Sequence, residues 1–206
     1  MKVLMVCTSN SALGSTDKKT GMWLEEYCAP YFTFKDAGHS VTVASPKGGA
    51  PPIDAGSEAD NFLSAYTKRH SEDEESKQVM ATTTRLDTVN AAEYDAVFFP
   101  GGHGPLWDLV EDPVSISLIE AFWAAGKPVA SVCHGVACLK NAKGKRMTAF
   151  TNAEEAAVGL TAVVPFLIED TFKALGADFR CGADWACRCA VVPFLACNPS
   201  TFSEGR

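Results

Sequence analysis

The sequence predicts an α/β fold in which a mostly parallel sheet is sandwiched between layers of helices. Short apolar runs alternate along the chain with segments of helical periodicity, as in successive strand–helix–strand units. The apolar runs lack strict alternation, which is typical of strands buried on both faces. The chain has 206 residues, 47% of them hydrophobic, and can therefore bury a full core. We expect one domain over residues 1–206.

Four strands and two helices are predicted from these patterns. The strands are Lys2–Cys7, Ser40–Ser45, Asp95–Pro100 and Pro128–Cys133. A first helix is expected over 21–37, ending at Gly38, with a break or kink at Pro30. A second is expected over Pro113–Ala125, with proline at its first position and Gly126 after it. Residues 46–60 form a loop, and the polar stretch 58–82 is a solvated helix start or a surface turn.

The composition and charge of the chain argue against several kinds of binding partner and cellular location. The net charge of −7 argues against nucleic acid as a main partner, because phosphate binding needs a basic face. No apolar run reaches the roughly 20 residues of a membrane span, and the apolar start Met1–Cys7 is too short for a signal peptide. We therefore expect a cytoplasmic protein whose eight cysteines are reduced thiols, without a disulfide framework.

The cysteines near the end of the chain also raise the question of a metal. Cys181, Cys187, Cys189 and Cys197 lack the paired spacing of zinc knuckles, and no histidine lies near them. The spacing of these cysteines therefore predicts no metal site.

The most informative segment is Pro128–Cys138. A buried strand leads into Cys133, Gly135 permits a tight turn, and a helical pattern follows. This is the arrangement of a nucleophile elbow with cysteine as the nucleophile. We expect the helix N-terminus to lower the pKa of the thiol. By spacing alone, a buried structural cysteine fits equally well.

A second glycine cluster favours the functional interpretation. The run Pro100-Gly101-Gly102-His103-Gly104-Pro105 follows another predicted strand, so two glycine-containing loops end parallel strands, where open α/β sheets bind ligands. Such glycines bring backbone N–H groups close to a ligand, as in an oxyanion hole. The chain has no histidine after residue 134, so a triad with a later histidine is disfavoured. His103 and His134 are the candidates, whereas His39 and His70 lie in surface-like segments.

Together these motifs resemble the glyoxalase III branch of the DJ-1/ThiJ/PfpI superfamily, which includes heat-shock chaperone-like members. The resemblance covers residues 1 to about 186. It rests on the following segments: 131–135 (SVCHG), 100–108 (PGGHGPLWD), 19–26 (KTGMWLEE), 45–49 (SPKGG), 51–54 (PPID) and 148–155 (TAFTNAEE). It implies a flavodoxin-like or class I glutamine-amidotransferase-like fold.

The resemblance also implies roles for individual residues. Cys133 matches the nucleophile, Glu26 the carboxylate beside it, and His134 the histidine that flanks it. Glu155 is the best match for the acid that orients this histidine, with Glu154 as the alternative. Gly102 and Gly135 match backbone donors of the oxyanion site, and His103 is counted with them as a substrate-binding residue.

The implied activity is the glutathione-independent conversion of methylglyoxal to lactate by a lyase that needs no cofactor. The partner is then a small 2-oxoaldehyde, and a homodimer is compatible with the resemblance. Two other functions stay open, a stress-response chaperone with a redox-sensing cysteine and a cysteine peptidase or amidase. From about residue 187 the sequence departs from the family pattern, with only six residues after Asn198-Pro199-Ser200. We expect an atypical and truncated C-terminus whose last twenty residues pack differently.

Overall fold

The structure, a computed structural model, describes residues 1–141 and 144–186 together with the backbone of 188–192 and 194–198. A seven-stranded sheet has the order β3-β2-β1-β4-β5-β9-β8, and β6 and β7 form a separate two-stranded sheet. The strands are β1 (Lys2–Val6), β2 (Ser40–Ser45), β3 (Thr84–Arg85), β4 (Ala96–Phe99), β5 (Val129–Val132), β6 (Arg146–Met147), β7 (Asp178–Phe179), β8 (Arg188–Val192) and β9 (Phe194–Asn198). All neighbours in the large sheet are parallel except β8, which is antiparallel to β9. The predicted mostly parallel fold is confirmed.

The described α-helices lie between these strands. They are α1 (Leu24–Asp36), α2 (Ala65–Glu72), α3 (Glu74–Ala81), α4 (Pro105–Asp108), α5 (Pro113–Ala124), α6 (Asn152–Ala157) and α7 (Ile168–Ala174). The polar stretch 58–82 forms α2 and α3, which begin at the capping residues Ser64 and Asp73. None of the helices in the described part of the chain is long and apolar enough to cross a bilayer.

Helix α1 differs from its prediction at two points. Gly21 to Trp23 are extended, and Met22 pairs with Ile53, so the helix begins at Leu24. The expected break at Pro30 is wrong, because the helix runs through it to Asp36. A proline removes one backbone hydrogen bond, and here the buried side chains of Tyr27, Tyr31 and Phe32 hold both halves of the helix against the sheet.

Both faces of the sheet are buried, which explains the lack of alternation in the strand sequences. Val97 and Phe99 of β4 belong to one core cluster, whereas Phe98 between them belongs to the other. In β1, Leu4 and Met5 divide in the same way. The strand order reverses around β1, so the carboxyl ends of β1, β4 and β5 border the crevice where such sheets bind ligands.

For the C-terminal segment, the structure describes only the backbone of two strands. Strand β9 pairs in parallel with β5 over Phe194–Cys197, and β8 pairs with β9. Side-chain packing from residue 187 onward, and all of residues 199–206, lie outside the described residues. The expected atypical packing therefore stays a prediction.

Candidate active site

Cys133 occupies a strained turn directly after β5. Its φ angle is 54°, in the left-handed region that L-residues with a side chain seldom adopt. The next residues form a buried 3₁₀ helix, Cys133–Leu139, where the sequence pattern indicated only a helix. Gly135 is needed for close packing here, because a Cβ at this position would lie 2.6 Å from the carbonyl oxygens of Phe99 and Pro100. Strain of this kind costs about 1–3 kcal/mol and persists where the surrounding structure enforces it.

Two backbone N–H groups donate hydrogen bonds to the sulfur of Cys133, those of Gly102 and His134. Gly102 reaches this position with a φ of 81°, and a Cβ on it would lie 2.3 Å from the carbonyl oxygen of Gly21. Donors that meet at the sulfur also face an oxygen developing on an atom bound to it. Gly102, which the resemblance implies is a backbone donor of the oxyanion site, thus has its N–H at the sulfur. The second donor is the amide of His134, whereas Gly135 has the steric role described above.

The carboxyl group of Glu26 lies against the same sulfur. Glu26 is 3% exposed, its side chain is hydrogen-bonded to Cys133, and its Oε2 accepts the N–H of Gly101 at 2.8 Å. A Cβ on Gly101 would lie 2.5 Å from both Glu26 Oε2 and Cys133 Cβ. Gly101, which the sequence analysis did not single out, therefore keeps this carboxyl and the thiol in contact. The only sign of it in the sequence is its position before Gly102.

The buried Cys133–Glu26 pair holds its protons strongly. Burial raises the pKa of Glu26 to about 8, although hydrogen bonds from Cys133 and Gly101 act in the opposite direction. Burial and the charge of Glu26 also raise the pKa of Cys133, against the N–H groups of Gly102 and His134. The expected lowering of the thiol pKa by a helix N-terminus is wrong, because desolvation and a neighbouring carboxylate outweigh the backbone dipoles. The thiol has to lose its proton to a neighbouring side chain.

Replacing Glu26 by glutamine is expected to stabilise the protein at alkaline pH. The pKa of Glu26 lies above its ordinary value in the folded state, so folding favours the protonated form. At pH 5 this preference lowers the free energy of unfolding only a little. The loss grows as the pH rises towards about 8. Glutamine stays neutral throughout, so we expect an unfolding temperature higher by at least about 5 °C at pH 9 and little changed at pH 5. Scanning fluorimetry at both pH values measures this; an equal shift at both would contradict it.

His134 and Glu155 continue the hydrogen-bonded chain from the sulfur. His134 Nδ1 lies 3.2 Å from Cys133 Sγ, and its Nε2 lies 2.7 Å from Glu155 Oε2. Burial, with a contribution from His103, lowers the pKa of His134 to about 4. Burial would raise the pKa of Glu155, but hydrogen bonds from His103 and His134 outweigh it and lower this pKa to about 2. A neutral His134 therefore donates its Nε2–H to an ionised Glu155 and presents the lone pair of Nδ1 to the thiol.

Glu154, the alternative left open by the sequence, has a different position. Its Oε2 accepts the N–H of Thr151 at the start of α6, and its Oε1 accepts the N–H of Trp185. Thr151 in turn accepts the N–H of Glu154, which makes a capping box. Glu155, one residue further around α6, is therefore the glutamate that contacts His134.

His103 is hydrogen-bonded to Glu155. Its Nε2 lies 2.9 Å from Glu155 Oε1, and its ring centroid is 3.9 Å from that of His134. Phe150, which sequence reasoning missed, packs against His134, with the two ring centroids 4.3 Å apart. Phe150 lies inside the segment 148–155 that carries the family resemblance, and this was the available signal. Trp185 packs edge-on against Phe150 at 5.7 Å.

The structure describes the side chains of some of the eight cysteines, which were expected to be reduced and to bind no metal. Cys7, Cys28, Cys133 and Cys138 are buried free thiols. The side chains of Cys187, Cys189 and Cys197 lie outside the described residues, so the prediction that they bind no zinc stays a prediction. Within 1–141 and 144–186, the group of side chains with metal-ligand geometry is His103, His134 and Glu155.

The sequence model of the DJ-1/PfpI family matches residues 19–164, a span that includes Glu26, the Gly101–His103 loop, Cys133, His134 and Glu155. The chain belongs to the DJ-1/PfpI family. Similarity to individual proteins covers more of the chain than this span.

Two fungal relatives are named for an activity. Glutathione-independent glyoxalase HSP31 of Saccharomyces cerevisiae is 29% identical over 195 residues, which cover 86% of this chain and 82% of the relative. Glyoxalase 3 of Candida albicans is 28% identical over 177 residues, which cover 80% of this chain and 75% of the relative. The crystal structure of the 24 kDa rapid encystment protein of Francisella tularensis superimposes with a TM-score of 0.91 at 34% identity, over 97% of this chain and 92% of that one.

Proposed function

We propose that this DJ-1/PfpI protein converts methylglyoxal, a small 2-oxoaldehyde, to lactate without glutathione, as a cytoplasmic lyase with Cys133 as nucleophile. The observation that carries this proposal is the double contact of the sulfur, with Glu26 on one side and His134 on the other. A hydrolase needs a nucleophile and one base. An isomerisation between adjacent carbons also needs a group that moves a proton between them. The names of the two fungal glyoxalases support the same activity.

The first half of the reaction forms a covalent adduct. Glu26, once ionised, accepts the thiol proton, and the thiolate attacks the aldehyde carbon, C1. The new oxyanion receives hydrogen bonds from the amides of Gly102 and His134, and then takes the proton from Glu26. The product is a neutral hemithioacetal, and Glu26 is again a carboxylate beside C1.

The second half moves hydrogen from C1 to C2. Glu26 removes the proton from C1 to give an enediolate and returns it to C2, while the hydroxyl proton on O1 passes to O2 through His134 Nδ1. The result is a lactate thioester on Cys133. Water activated by His134 hydrolyses this thioester, releasing lactate and restoring the thiol. The ionised Glu155 stabilises the positive charge that His134 carries during this step.

The experiment that tests the function is incubation of pure protein with methylglyoxal in the absence of glutathione, with lactate as the readout. We expect the parent protein to form one molecule of lactate for each molecule of methylglyoxal consumed. Disappearance of methylglyoxal without lactate would show adduct formation on surface amines and would contradict the proposal.

A second candidate function is hydrolysis of an amide or ester, favoured by the aligned Cys133, His134 and Glu155. This arrangement has the parts of a cysteine-hydrolase triad. A fluorogenic peptide and a simple thioester, assayed side by side, separate the two functions. The proposed enzyme hydrolyses the thioester and leaves the peptide intact. The chaperone alternative is tested by asking whether the protein suppresses aggregation of a heat-denatured reporter.

The pH dependence of kcat/KM follows from the protonation of the buried pair. The reaction begins with Glu26 ionised, and the pKa of Glu26 is raised to about 8. We therefore expect kcat/KM to rise about tenfold per pH unit below this value and to level off above it. Because Cys133 and Glu26 share protons, the apparent pKa belongs to the pair. A profile already flat at pH 6 would contradict the assignment.

A further inference from the structure

Two histidines converge on the single carboxylate of Glu155. His103 Nε2 lies 2.9 Å from one oxygen, and His134 Nε2 lies 2.7 Å from the other. The two rings are neighbours, with centroids 3.9 Å apart and planes inclined by 38°. One ligand atom of each residue lies within 4.8 Å of the others, so the three side chains surround a common point.

We propose that His103, His134 and Glu155 form a binding site for Zn²⁺ that inhibits the enzyme. Two imidazole nitrogens and one carboxylate are a donor set that zinc accepts, with a fourth position left for water. Ligand atoms held about 2.1 Å from one tetrahedral ion lie about 3–3.5 Å from each other. The observed nitrogen–oxygen separations are slightly shorter than this, so small side-chain movements admit the ion.

The charges at the site suit a cation. Glu155 places a carboxyl group between two imidazole rings, and each of its oxygens faces a ring nitrogen. The ion replaces the two N–H hydrogen bonds that neutralise Glu155 in its absence. His103 provides the route of entry, because its side chain is 14% exposed whereas those of His134 and Glu155 are 1% and 5% exposed.

The inhibition follows from which nitrogen the ion occupies. A bound Zn²⁺ takes the Nε2 lone pair of His134, so the ring proton moves to Nδ1. Nδ1 is the atom 3.2 Å from Cys133 Sγ, and once protonated it no longer accepts a proton. Proton transfer between O1 and O2 and thioester hydrolysis then both stop. This consequence rests on the proposed function, whereas metal binding itself does not.

Cobalt, which replaces zinc and is coloured, tests the site directly. Chelator-treated, dialysed protein is titrated with Co²⁺, and the visible d–d absorption is recorded. We expect one equivalent to bind, without a thiolate-to-cobalt charge-transfer band, and Zn²⁺ to displace it. Cys133→Ala should bind equally well. The quadruple variant Cys181→Ser, Cys187→Ser, Cys189→Ser, Cys197→Ser should also bind equally well, which separates the site from the C-terminal thiols.

Substitution of the ligands should abolish the spectrum. In His103→Gln the amide still donates to Glu155 but is a poor metal ligand, and we expect affinity to fall by at least about 10–100-fold. Glu155→Gln should do the same, and circular dichroism checks that both variants are folded. A thiolate band at one equivalent, unchanged affinity in His103→Gln, or no spectrum in excess cobalt would overturn the proposal. With the parent enzyme, Zn²⁺ should inhibit lactate formation and chelator should restore it; if no lactate forms at all, the cobalt titration still decides whether the site exists.

Discussion

Cys133→Ala is expected to form no lactate from methylglyoxal. Every covalent step passes through the sulfur, and among the described side chains at the site none other is a nucleophile of comparable strength. The substitution removes one buried atom and keeps a Cβ in the same left-handed turn, so folding should be little affected. Lactate formation and the thermal unfolding temperature are measured on the same preparation.

The outcome of this substitution separates the proposed functions. An inactive but folded Cys133→Ala protein that still suppresses aggregation of a reporter would establish the chaperone as a separate property. Lactate formation at the parent rate would show that Cys133 is not the nucleophile, and the mechanism would fall. Alkylation of Cys133 in the parent protein with iodoacetamide is an independent test of its role as nucleophile. We expect this labelling to be slow, because the Cys133 sulfur is buried.

Glu26→Gln is expected to lower the turnover number by about 10²–10⁴-fold, the usual contribution of a positioned acid–base group. The amide can still accept the N–H of Gly101, which holds Oε2 at 2.8 Å in the parent protein, so the site should keep its shape. The thiol remains and can pass its proton to His134 Nδ1, 3.2 Å away, so the variant should still form a hemithioacetal, although more slowly. Steady-state lactate formation measures the loss, and mass spectrometry of the quenched enzyme detects the trapped adduct.

Glu25→Gln is the matched control for this experiment. Glu25 neighbours Glu26 on α1, but its side chain points to α2, where Glu25 Oε2 accepts the hydroxyl of Ser64 at 2.5 Å. An amide there can keep this hydrogen bond, so activity should stay within about twofold of the parent. Equal losses in the two variants would indicate damage to α1 rather than loss of the proton carrier. Parent-like turnover of Glu26→Gln would refute the proton transfer.

The main features of the sheet and the elbow were predictable from the sequence because they depend on local patterns. Strands buried on both faces give runs without alternation, and the predicted Ser40–Ser45 coincides with β2. Glycine is obligatory where a Cβ would collide with backbone, as at Gly102 and Gly135, and such positions appear in the sequence as glycine clusters. The path of α1 through Pro30 was mispredicted because the local cost of a proline is outweighed by packing that the sequence does not display.

By itself, the sequence determined the parallel α/β architecture, the strand–turn–helix setting of Cys133 and, through resemblance, the candidates Glu26, His134 and Glu155. Only the tertiary structure decided between Glu155 and Glu154, because adjacent helical residues differ by about 100° in direction and a single contact with His134 distinguishes them. It also showed the contact of His103 with Glu155 and reversed the expected direction of the Cys133 pKa. Both depend on burial and on charges contributed by segments far apart in the chain, which meet only when the sheet is assembled.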